Sequence, residues 1–430
     1  MQSWRVNKRT MIISLMLILM MFQNPLEEVI PFFSIYEELL ALAGFGLIFI
    51  EIIQSKKMNK YFLLAFILFF VFVIVTLASN FIYGFQSIKA VIIDLFTNVK
   101  FLGVFVLGIF IALHMDFESF IDIASKCAKW ASIFLMIATI IEVLYTNLFS
   151  NVDKYSIYGS LMKYIHPATQ YLYRAKKLKL FYAHGTYLGA TLIFMLIVFT
   201  LAGYKQYKLN IMICIVLLIM TGRSKAIAAV GIYLFLWIVC EKMHKVVAVK
   251  ELIIIGCLAL LIGWTKIDYF YGVLGGMSAR SILTITSLQI AKDFFPFGTG
   301  FGTYASDQAV KNYSRVYRMY GLDKIAETSP DSKFLNDVMW PIIIGQSGVL
   351  GTLCYAAVII MLLVMCIKIQ KENRLQSGMW APLFGFFYLI ISSFGEPTFV
   401  NAVSMPIAFV LGAMCSWKII RKRDDCMERD

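Results

Sequence analysis

The chain has 430 residues with a formal net charge of +13, and 60% of its side chains are hydrophobic while only 15% are charged. This composition excludes an ordinary soluble globular domain and is typical of a membrane protein with many spans. The basic residues are scattered over short intervals between apolar runs, so membrane topology explains the charge better than nucleic-acid binding does.

The apolar runs predict an all-α polytopic membrane protein with about twelve transmembrane helices, since one span needs about 20 mostly apolar residues. The first run, 11–22, follows Arg5, Lys8 and Arg9, and no small-residue cleavage site comes after it. It is therefore predicted to be an uncleaved span rather than a signal peptide. The predicted spans are 10–24, 33–53, 61–79, 98–115, 129–149, 182–203, 209–221, 226–240, 251–265, 342–367, 379–395 and 398–418.

Basic residues in the short loops set the predicted orientation. With twelve spans both termini lie on one side, and the short loops on that side, like the C-terminal tail, carry several Lys or Arg residues each. The positive-inside rule then predicts that both termini are cytoplasmic. Two long intervals, 150–181 and 266–341, fall on the outer side. We therefore divide the chain into an N-terminal bundle of about nine spans (1–265), one large extracytoplasmic loop (266–341), and a C-terminal part with three spans and a basic tail (342–430).

The first outer interval carries a basic cluster, Arg174, Lys176 and Lys177, within the sequence YLYRAKKLK. One interpretation is a solvated amphipathic turn that lies on lipid headgroups. The other is a basic rim that attracts an anionic, lipid-linked substrate. His184 follows at the start of the next span, where an imidazole is more often a hydrogen-bonded interface residue than a base.

Two arginines are the strongest candidates for chemistry. Arg223 lies between two apolar runs, in TGRSKA at 221–226, where a charge either snorkels from a span end or faces a wet cavity. Arg280 begins a helix-like stretch in the second outer interval, and it is either a solvated loop residue or part of an anion site at a helix N-terminus. Both guanidinium groups suit phosphate, because their planar fork matches phosphate oxygens bidentately.

A glycine-rich sequence, PFGTGFG, follows this helix-like stretch and contains Gly298, Gly300 and Gly302. No strand precedes it and no Gly-Lys-Ser/Thr follows it, so it matches neither a Rossmann fingerprint nor a P-loop. Glycines allow positive φ angles and close backbone approach. A tight turn before the next helix is the favoured interpretation, and phosphate binding stays open.

Asp331, in PDSKFL at 330–335, is predicted where the outer loop returns to the bundle. Its carboxylate would either orient or deprotonate an acceptor hydroxyl, or cap a helix. The eight cysteines include no CxxC pair and mostly lie in or beside apolar runs, which indicates small hydrophobic residues rather than metal ligands or disulfides. We therefore expect no metal site.

Together these features resemble the O-antigen ligase/polymerase (WaaL/Wzy-like) superfamily of bacterial membrane glycosyltransferases, and the resemblance implies a GT-C-like helical fold. It covers most of the chain and depends on three motifs. TGRSKA at 221–226 is similar to the family's Ser/Gly-Arg-Ser segment, and Arg280 followed by a short helix and PFGTGFG is similar to its Arg…PlfGtGfG signature. The third motif is Asp331 to Leu335 with Gly345, Gly348 and Gly351, which is similar to the ligase segment His-Asn-x-x-Leu and its following glycines.

The third motif departs from the ligase pattern. Asp331 occupies the position of the ligase histidine, and the spacing to the following glycines is longer. Both differences favour a repeat-unit polymerase over a ligase that transfers glycan to the lipid A core.

The resemblance implies a transferase of the bacterial plasma membrane that acts in capsule, O-antigen or exopolysaccharide synthesis. The donor would be a glycan on undecaprenyl pyrophosphate, and the acceptor a hydroxyl of a second lipid-linked repeat unit. Arg223 and Arg280 would stabilise the charge that develops on the leaving pyrophosphate. No cofactor is implied, and the expected partners are the lipid bilayer and, in the same pathway, a flippase and a chain-length regulator.

Two alternatives are a ligase that uses another acceptor and a transporter or flippase for the lipid-linked unit. A transporter should carry charged or broken helices near mid-membrane in both halves. Glu51 and Glu142 are predicted near span ends and Asp94 outside a span, which favours an enzyme. Glu37 and Glu38, near the start of the second predicted span, fit neither interpretation.

Overall fold

The computed structural model describes residues 8–54, 60–115, 117–144, 178–271, 278–332, 335–373 and 376–415, and these residues form helices and turns without a strand. Each of the twelve predicted spans overlaps a helix. The helices are α1 (Lys8–Val29), α2 (Tyr36–Gln54), α3 (Lys60–Tyr83), α4 (Ile88–His114), α5 (Phe117–Leu144), α6 (Gly185–Gly203), α7 (Lys208–Met220), α8 (Ser224–Trp237), α9 (Val249–Tyr271), α10 (Ala279–Asp293), α11 (Asp307–Lys311), α12 (Arg315–Met319), α13 (Met339–Glu372), α14 (Ala381–Ser393) and α15 (Ala402–Cys415).

The lengths and apolar composition of the helices establish the fold class. Seven helices in the described part of the chain are long and apolar enough to cross a membrane: α1, α3, α4, α5, α6, α8 with the π-helical turn that extends it to Lys242, and α13. α7, α14 and α15 are apolar but shorter. The prediction of an all-α, multi-pass membrane protein is therefore confirmed, and the number of twelve spans stays a prediction.

Two helices begin well before the predicted spans. α4 starts at Ile88 rather than at residue 98, because Ser87 caps it and accepts a hydrogen bond from the Ala90 N–H at 3.4 Å. The prediction placed Asp94 outside a span, but Asp94 lies inside this helix and is only 1% exposed. α5 likewise starts at Phe117 rather than at residue 129.

The spans of the N-terminal and C-terminal parts share one hydrophobic core. α3 packs along α13, and α2 packs along α4. Glycines let α4 approach α2 on one side and α15 on another. A Cβ at Gly103 would lie 2.7 Å from the Ala41 Cβ of α2, and one at Gly412 of α15 would lie 1.8 Å from the Phe105 carbonyl oxygen of α4. The described residues of the predicted parts 1–265 and 342–430 are thus packed together as one bundle.

The described residues 278–332 and 335–338, here called the inter-span segment, form a small unit between α9 and α13. Their short helices α10, α11 and α12 enclose a second apolar cluster that includes Leu283, Ile290, Tyr304 and Tyr317. α10 packs on α13, and α11 contacts α4. The inter-span segment is therefore fixed on the helical bundle through its first two helices.

α13 is broken at Gly348, where the backbone adopts φ 61° and ψ −161° inside an otherwise continuous helix. Only glycine takes up such a positive φ readily. α1 carries a milder break at Phe22, three residues before Pro25. The break in α13 exposes backbone groups to the inter-span segment, and the glycine-rich sequence binds there.

Candidate functional site

The glycine-rich sequence 296–302 lies across the break of α13. The Gly300 N–H donates to the Gln346 carbonyl at 2.8 Å, the Thr299 N–H donates to the Gly345 carbonyl at 3.1 Å, and the Leu350 N–H donates to the Pro296 carbonyl at 3.1 Å. A Cβ at Gly298 would lie 2.3 Å from the Gly348 nitrogen, so the two backbones touch at a point that excludes any side chain.

Polar side chains of α3, of α4 and of the turn between them hold the other edge of this sequence. Asn80 bonds both backbone groups of Phe301, accepting its N–H at 2.7 Å and donating to its carbonyl at 3.0 Å. Asp94 accepts the Gly302 N–H at 2.8 Å, and Gln86 donates to the Gly302 carbonyl at 2.8 Å. The membrane helices thus fix the glycine-rich sequence in one conformation.

These contacts bear on the predicted substrate-binding glycines. The Gly298 N–H donates to the Phe294 carbonyl at 3.0 Å, and the N–H groups of Gly300 and Gly302 are bonded as described above. The tight-turn interpretation accounts for all three glycines, since each has a positive φ angle. A phosphate cradle made by these N–H groups would have to break the bonds they already form, and substrate binding by the glycines stays a prediction.

Arg280 lies in the first turn of α10, two residues after the N-cap Ser278, whose hydroxyl accepts from the Ser281 N–H at 3.2 Å. Its guanidinium pairs with the Asp337 carboxylate at 3.4 Å, just before α13 begins. The two side chains are 22% and 36% exposed, so the pair is open to solvent on one side. Arg280 is therefore held at the junction between the inter-span segment and the bundle.

Arg223 and Lys225 stand at the start of α8, at the same end of the bundle. Arg223 immediately precedes the helix, and Lys225 forms an ion pair with Glu396 in the connection between α14 and α15. Both side chains of this pair are mostly buried, at 20% and 15% exposure. A Cβ added at Gly185 would lie 3.6 Å from the Arg223 Nε, so the Arg223 side chain packs against the start of α6.

The fold brings these cations together although they are far apart in sequence. Lys225 interacts electrostatically with Arg223, with Arg280 and with its partner Glu396. We call Arg223, Lys225 and Arg280 the cation group. Two carboxylates, Asp337 and Glu396, lie beside it. The charges suit an anion with several oxygens, because the start of α8 supplies one guanidinium and one ammonium and the start of α10 supplies a second guanidinium.

Tyr187 and Asn401 lie beside acidic residues, one of which is Glu396, the partner of Lys225. The Tyr187 hydroxyl bonds the Asn401 side chain, and it interacts electrostatically with Glu396, Glu27 and Asp307. Asn401 in turn caps the 3-10 turn that begins α15 and accepts from the Val403 N–H at 3.4 Å. These neutral groups provide a hydroxyl and an amide near Glu396, the partner of Lys225.

The remaining predicted site residues have separate positions. His184 is the N-cap of α6, and its ring lies 5.9 Å from that of Tyr187. The next residue, Gly185, is the one that the Arg223 side chain approaches. Asp331 is exposed in the turn after the 3-10 helix Ala326–Thr328. Arg174, Lys176 and Lys177 lie outside the described residues, so their predicted role stays a prediction.

Sequence reasoning missed three members of the site. Lys225 belongs to the quoted TGRSKA motif but was not singled out. Asp337 lies six residues beyond Asp331 (337 − 331), and it is Asp337 whose carboxylate contacts Arg280. Glu396, in the sequence GEPT, is the one acid in the short interval between the last two predicted spans, and that isolation was a usable signal.

A second charged group lies among α1, α2 and α4. Lys100 pairs with Glu37 at 3.0 Å and with Glu38 at 3.2 Å, and Gln23 donates to Glu37. The Lys100 and Glu37 side chains are only 7% and 6% exposed. This ion pair explains the two acids that neither sequence interpretation accommodated, because a charge in a membrane helix is stable when it is paired inside the bundle. We call Glu37, Glu38 and Lys100 the buried triad.

No group of three or more His, Cys, Asp or Glu side chains among the described residues is arranged to hold a metal ion. The expectation of a cofactor-free reaction stays a prediction.

Neither protein-family models nor curated proteins give a match to this chain. The class that the fold and the composition define is that of the multi-pass α-helical membrane proteins. Within that class, the site described above is the basis for a functional assignment.

Proposed function

We propose that the protein is a repeat-unit polysaccharide polymerase. It would transfer a glycan from undecaprenyl pyrophosphate to a hydroxyl of a second lipid-linked repeat unit. The observation that carries the proposal is the cation group, in which Arg223, Lys225 and Arg280 converge at one end of a bundle of apolar helices. Such a position suits a substrate whose lipid lies in the membrane and whose pyrophosphate lies at its surface.

In the proposed reaction, the bond between the anomeric carbon and the pyrophosphate oxygen breaks while the acceptor oxygen bonds to that carbon. The pyrophosphate leaves with the electron pair, and the proton of the acceptor hydroxyl passes to a carboxylate or to water. Fixed cations favour this step because they stabilise the negative charge that grows on the leaving group. Partial burial strengthens their effect, since a lower local dielectric raises each charge interaction.

The carboxylates of Asp337 and Glu396 are the proposed groups that orient the acceptor. Both contact a member of the cation group, at Arg280 and Lys225 respectively. A carboxylate in hydrogen-bond reach of a hydroxyl can hold it for attack and accept its proton. Asp331 was predicted for this role and is kept as a third candidate.

The proposed setting is the bacterial plasma membrane, with twelve spans and both termini in the cytoplasm. Two connections at the end of α8 remote from the cation group support this orientation, because Lys242 and Lys245 lie in the first and Lys371 lies at the end of the helix before the second. There Glu241, in the π-helical turn after α8, accepts the Gly378 N–H at 2.6 Å and the Trp380 Nε1–H at 2.9 Å. These two hydrogen bonds join the connection before α9 to the connection before α14. The inter-span segment would then belong to a large extracytoplasmic loop, and a flippase and a chain-length regulator would act in the same pathway.

A transporter of the lipid-linked unit is the second candidate, because a specific observation favours it. The buried triad places paired charges inside the N-terminal helices, and α1 and α13 are both broken. Charged groups and discontinuous helices of this kind occur at transport sites. A ligase that uses another acceptor is the remaining alternative, and the cation group suits it equally.

The deciding experiment is the glycan profile of cells that lack the gene. A polymerase predicts single repeat units on their lipid carrier at the outer face, with no polymer. Long polymer still attached to its carrier would indicate a ligase. Single units retained at the cytoplasmic face would indicate a transporter, and either of these results would overturn the proposal.

Complementation with arginine variants tests the site itself. Arg280→Ala and Arg223→Ala should each abolish chain extension at normal protein levels, and Lys substitutions should restore little because a point charge replaces a planar fork. Lys126→Ala is the matched control, since Lys126 forms an exposed ion pair with Asp122 on α5 and should not affect polymer. Full-length polymer from either alanine variant would remove that arginine from the mechanism.

A further inference from the structure

A groove of about 590 Å³ opens between the α3–α4 turn and the inter-span segment. Its principal lining residues are Phe85, Gln86, Asn312, Tyr313, Arg315 and Arg318. Two arginines, two amides and two aromatic rings therefore face one space, and the lining includes no acid. A volume of this size is within the range of small-molecule binding sites.

The walls of the groove are held by contacts outside it. Gln86 donates to the Gly302 carbonyl at 2.8 Å, so this wall is bonded to the glycine-rich sequence. The Tyr313 ring stacks on the buried Tyr317 at 5.1 Å, and the Tyr313 hydroxyl donates to the Thr328 carbonyl at 3.1 Å. Phe85 packs edge-on against Phe294 at 5.5 Å. These contacts give the groove a fixed aromatic floor and a fixed amide edge.

The two arginines are the least neutralised part of the groove. The Arg318 guanidinium lies over the Tyr313 ring, 5.9 Å from its centroid. Arg315 is exposed and forms no ion pair with any described residue. Two acids of the same segment lie outside the lining: Asp293 accepts the Tyr320 hydroxyl at 2.8 Å, and Asp323 acts on Tyr313.

Burial raises the pKa of the Tyr313 hydroxyl above its usual value, and nearby Asp323 raises it further, while Arg318 acts in the opposite direction. The phenol therefore stays protonated at neutral pH. The groove thus carries the positive charge of Arg315 and Arg318 without a tyrosinate to offset it.

We propose that this groove binds an anionic saccharide, that is, a sugar with a carboxylate or phosphate substituent. The guanidinium groups of Arg315 and Arg318 match the oxygens of such a substituent, and the amides of Gln86 and Asn312 suit sugar hydroxyls. The aromatic floor of Tyr313 and Phe85 suits the apolar face of a sugar ring.

This inference rests on the proposed function, because it assigns the groove to part of the glycan that the cation group would act on. Arg280 stands at the start of α10, and Phe294, which touches the groove residue Phe85, directly follows its end. A 15-residue helix is about 22 Å long at 1.5 Å per residue. An oligosaccharide can span that distance, while a single sugar cannot, so the groove would hold glycan remote from the reacting bond.

The test is binding of defined oligosaccharides to the purified full-length protein in lipid nanodiscs. The probe is a glucuronate-containing hexasaccharide from hyaluronan, with the neutral maltohexaose and inorganic phosphate as comparisons. We expect the acidic hexasaccharide to bind at least about tenfold more tightly than either comparison, and its affinity to fall as salt rises. The double variant Arg315→Ala/Arg318→Ala should lose about tenfold or more in affinity, and Arg315→Lys/Arg318→Lys should recover only part of it.

Lys311→Ala is the matched control, because Lys311 is an exposed cation of α11 that does not line the groove. Its variant should bind the hexasaccharide as the unchanged protein does. Equal binding of the neutral hexasaccharide, or equal loss in the Lys311 variant, would overturn the proposal. Equal binding to protein and to nanodiscs without protein would assign the signal to lipid headgroups and would also overturn it.

The same variants separate this inference from the proposed function in cells. Loss of the groove arginines should shorten the polymer while single transfers continue, whereas Arg280→Ala should abolish transfer. If the gene deletion leaves polymer unchanged, the proposed function fails, while the nanodisc measurement still decides whether the groove binds an acidic saccharide.

Discussion

The ammonium of Lys225 and the carboxylate of Glu396 form an ion pair that joins the first turn of α8 to the connection between α14 and α15. This pair connects the cation group to the C-terminal end of the bundle. Glu396 stabilises the positive charge of Lys225, whereas the like charges of Arg223 and Arg280 oppose it, so the pair offsets part of the repulsion within the cation group. It is therefore the first contact to perturb.

Glu396→Gln should both destabilise the protein and stop chain extension. Removing one partner of a fully buried pair costs about 3–5 kcal/mol, and we expect less here because both side chains keep some exposure. The measurement is the free energy of unfolding in detergent, together with the polymer made in cells. The double variant Lys225→Met/Glu396→Gln should regain stability but not polymer. A Glu396→Gln protein with normal stability and normal polymer would contradict both roles.

Asp337→Asn should reduce chain extension more than Asp331→Asn. Asp337 contacts the Arg280 guanidinium at 3.4 Å, whereas Asp331 is exposed in the preceding turn. Loss of the carboxylate charge frees the guanidinium to move and removes a group that can orient an acceptor hydroxyl. Polymer length at matched protein levels is the measurement, and a larger loss in the Asp331 variant would return the role to the residue that the sequence predicted.

Gly298→Ala should destabilise the protein by about 3 kcal/mol or more, because a positive φ and a backbone collision add together. The added Cβ would stand 2.3 Å from the Gly348 nitrogen, at φ 76°. Gly46→Ala on α2 is the matched control: its Cβ meets nothing within 4 Å, and we expect up to about 1 kcal/mol of stabilisation from helix propensity. Thermal unfolding of both variants in one detergent makes the comparison. Similar midpoints would mean that the glycine-rich sequence can relax away from the break in α13.

Lys100→Met should destabilise the bundle strongly, because it leaves Glu37 and Glu38 without their cation in the interior. The expected loss is about 3–5 kcal/mol, measured as the free energy of unfolding. The triple variant that also carries Glu37→Gln and Glu38→Gln should recover most of it, since no unpaired charge remains. A stable triple variant that still makes polymer supports a structural role for the buried triad. A stable triple variant that retains single repeat units at the cytoplasmic face would support the transporter instead.

The long helices were predictable from the sequence because membrane spans depend on local apolar composition, and each predicted span overlaps a helix. The errors lie where polar residues interrupt the pattern. The fourth span was predicted to start at residue 98 and to leave out Asp94, although the helix begins at Ile88 and contains this acid. An acid in such a helix becomes stable through the Gly302 N–H that it accepts, and this partner is more than two hundred positions away in the chain.

The candidate site was predictable only where a local motif marks its residues. Arg223 and Arg280 were identified from motifs, and the fold brings both near Lys225. The isolation of Glu396 between two predicted spans marked it in the sequence, whereas nothing marked Asp337. The contacts of both carboxylates with these cations arise only when α8, α10 and the last two helices pack together. The turn function of the glycines was predictable from their type, while their binding site at the break of α13 was not.

The arrangement of α4 limits how the chain can vary in length. Asp94 bonds the glycine-rich sequence, and six residues later Lys100 bonds the acids of α2, so one helix holds two partners on different sides. A single inserted or deleted residue between them would turn everything beyond it by about 100° and shift it by about 1.5 Å along the axis. No rotamer change can recover both bonds after such a turn, and the close contacts at Gly103 and Gly108 prevent the helix from rotating to compensate. The number of residues between Asp94 and Lys100 is thus fixed in this protein, whereas the side chains of α4 that face lipid can be exchanged for others of similar character.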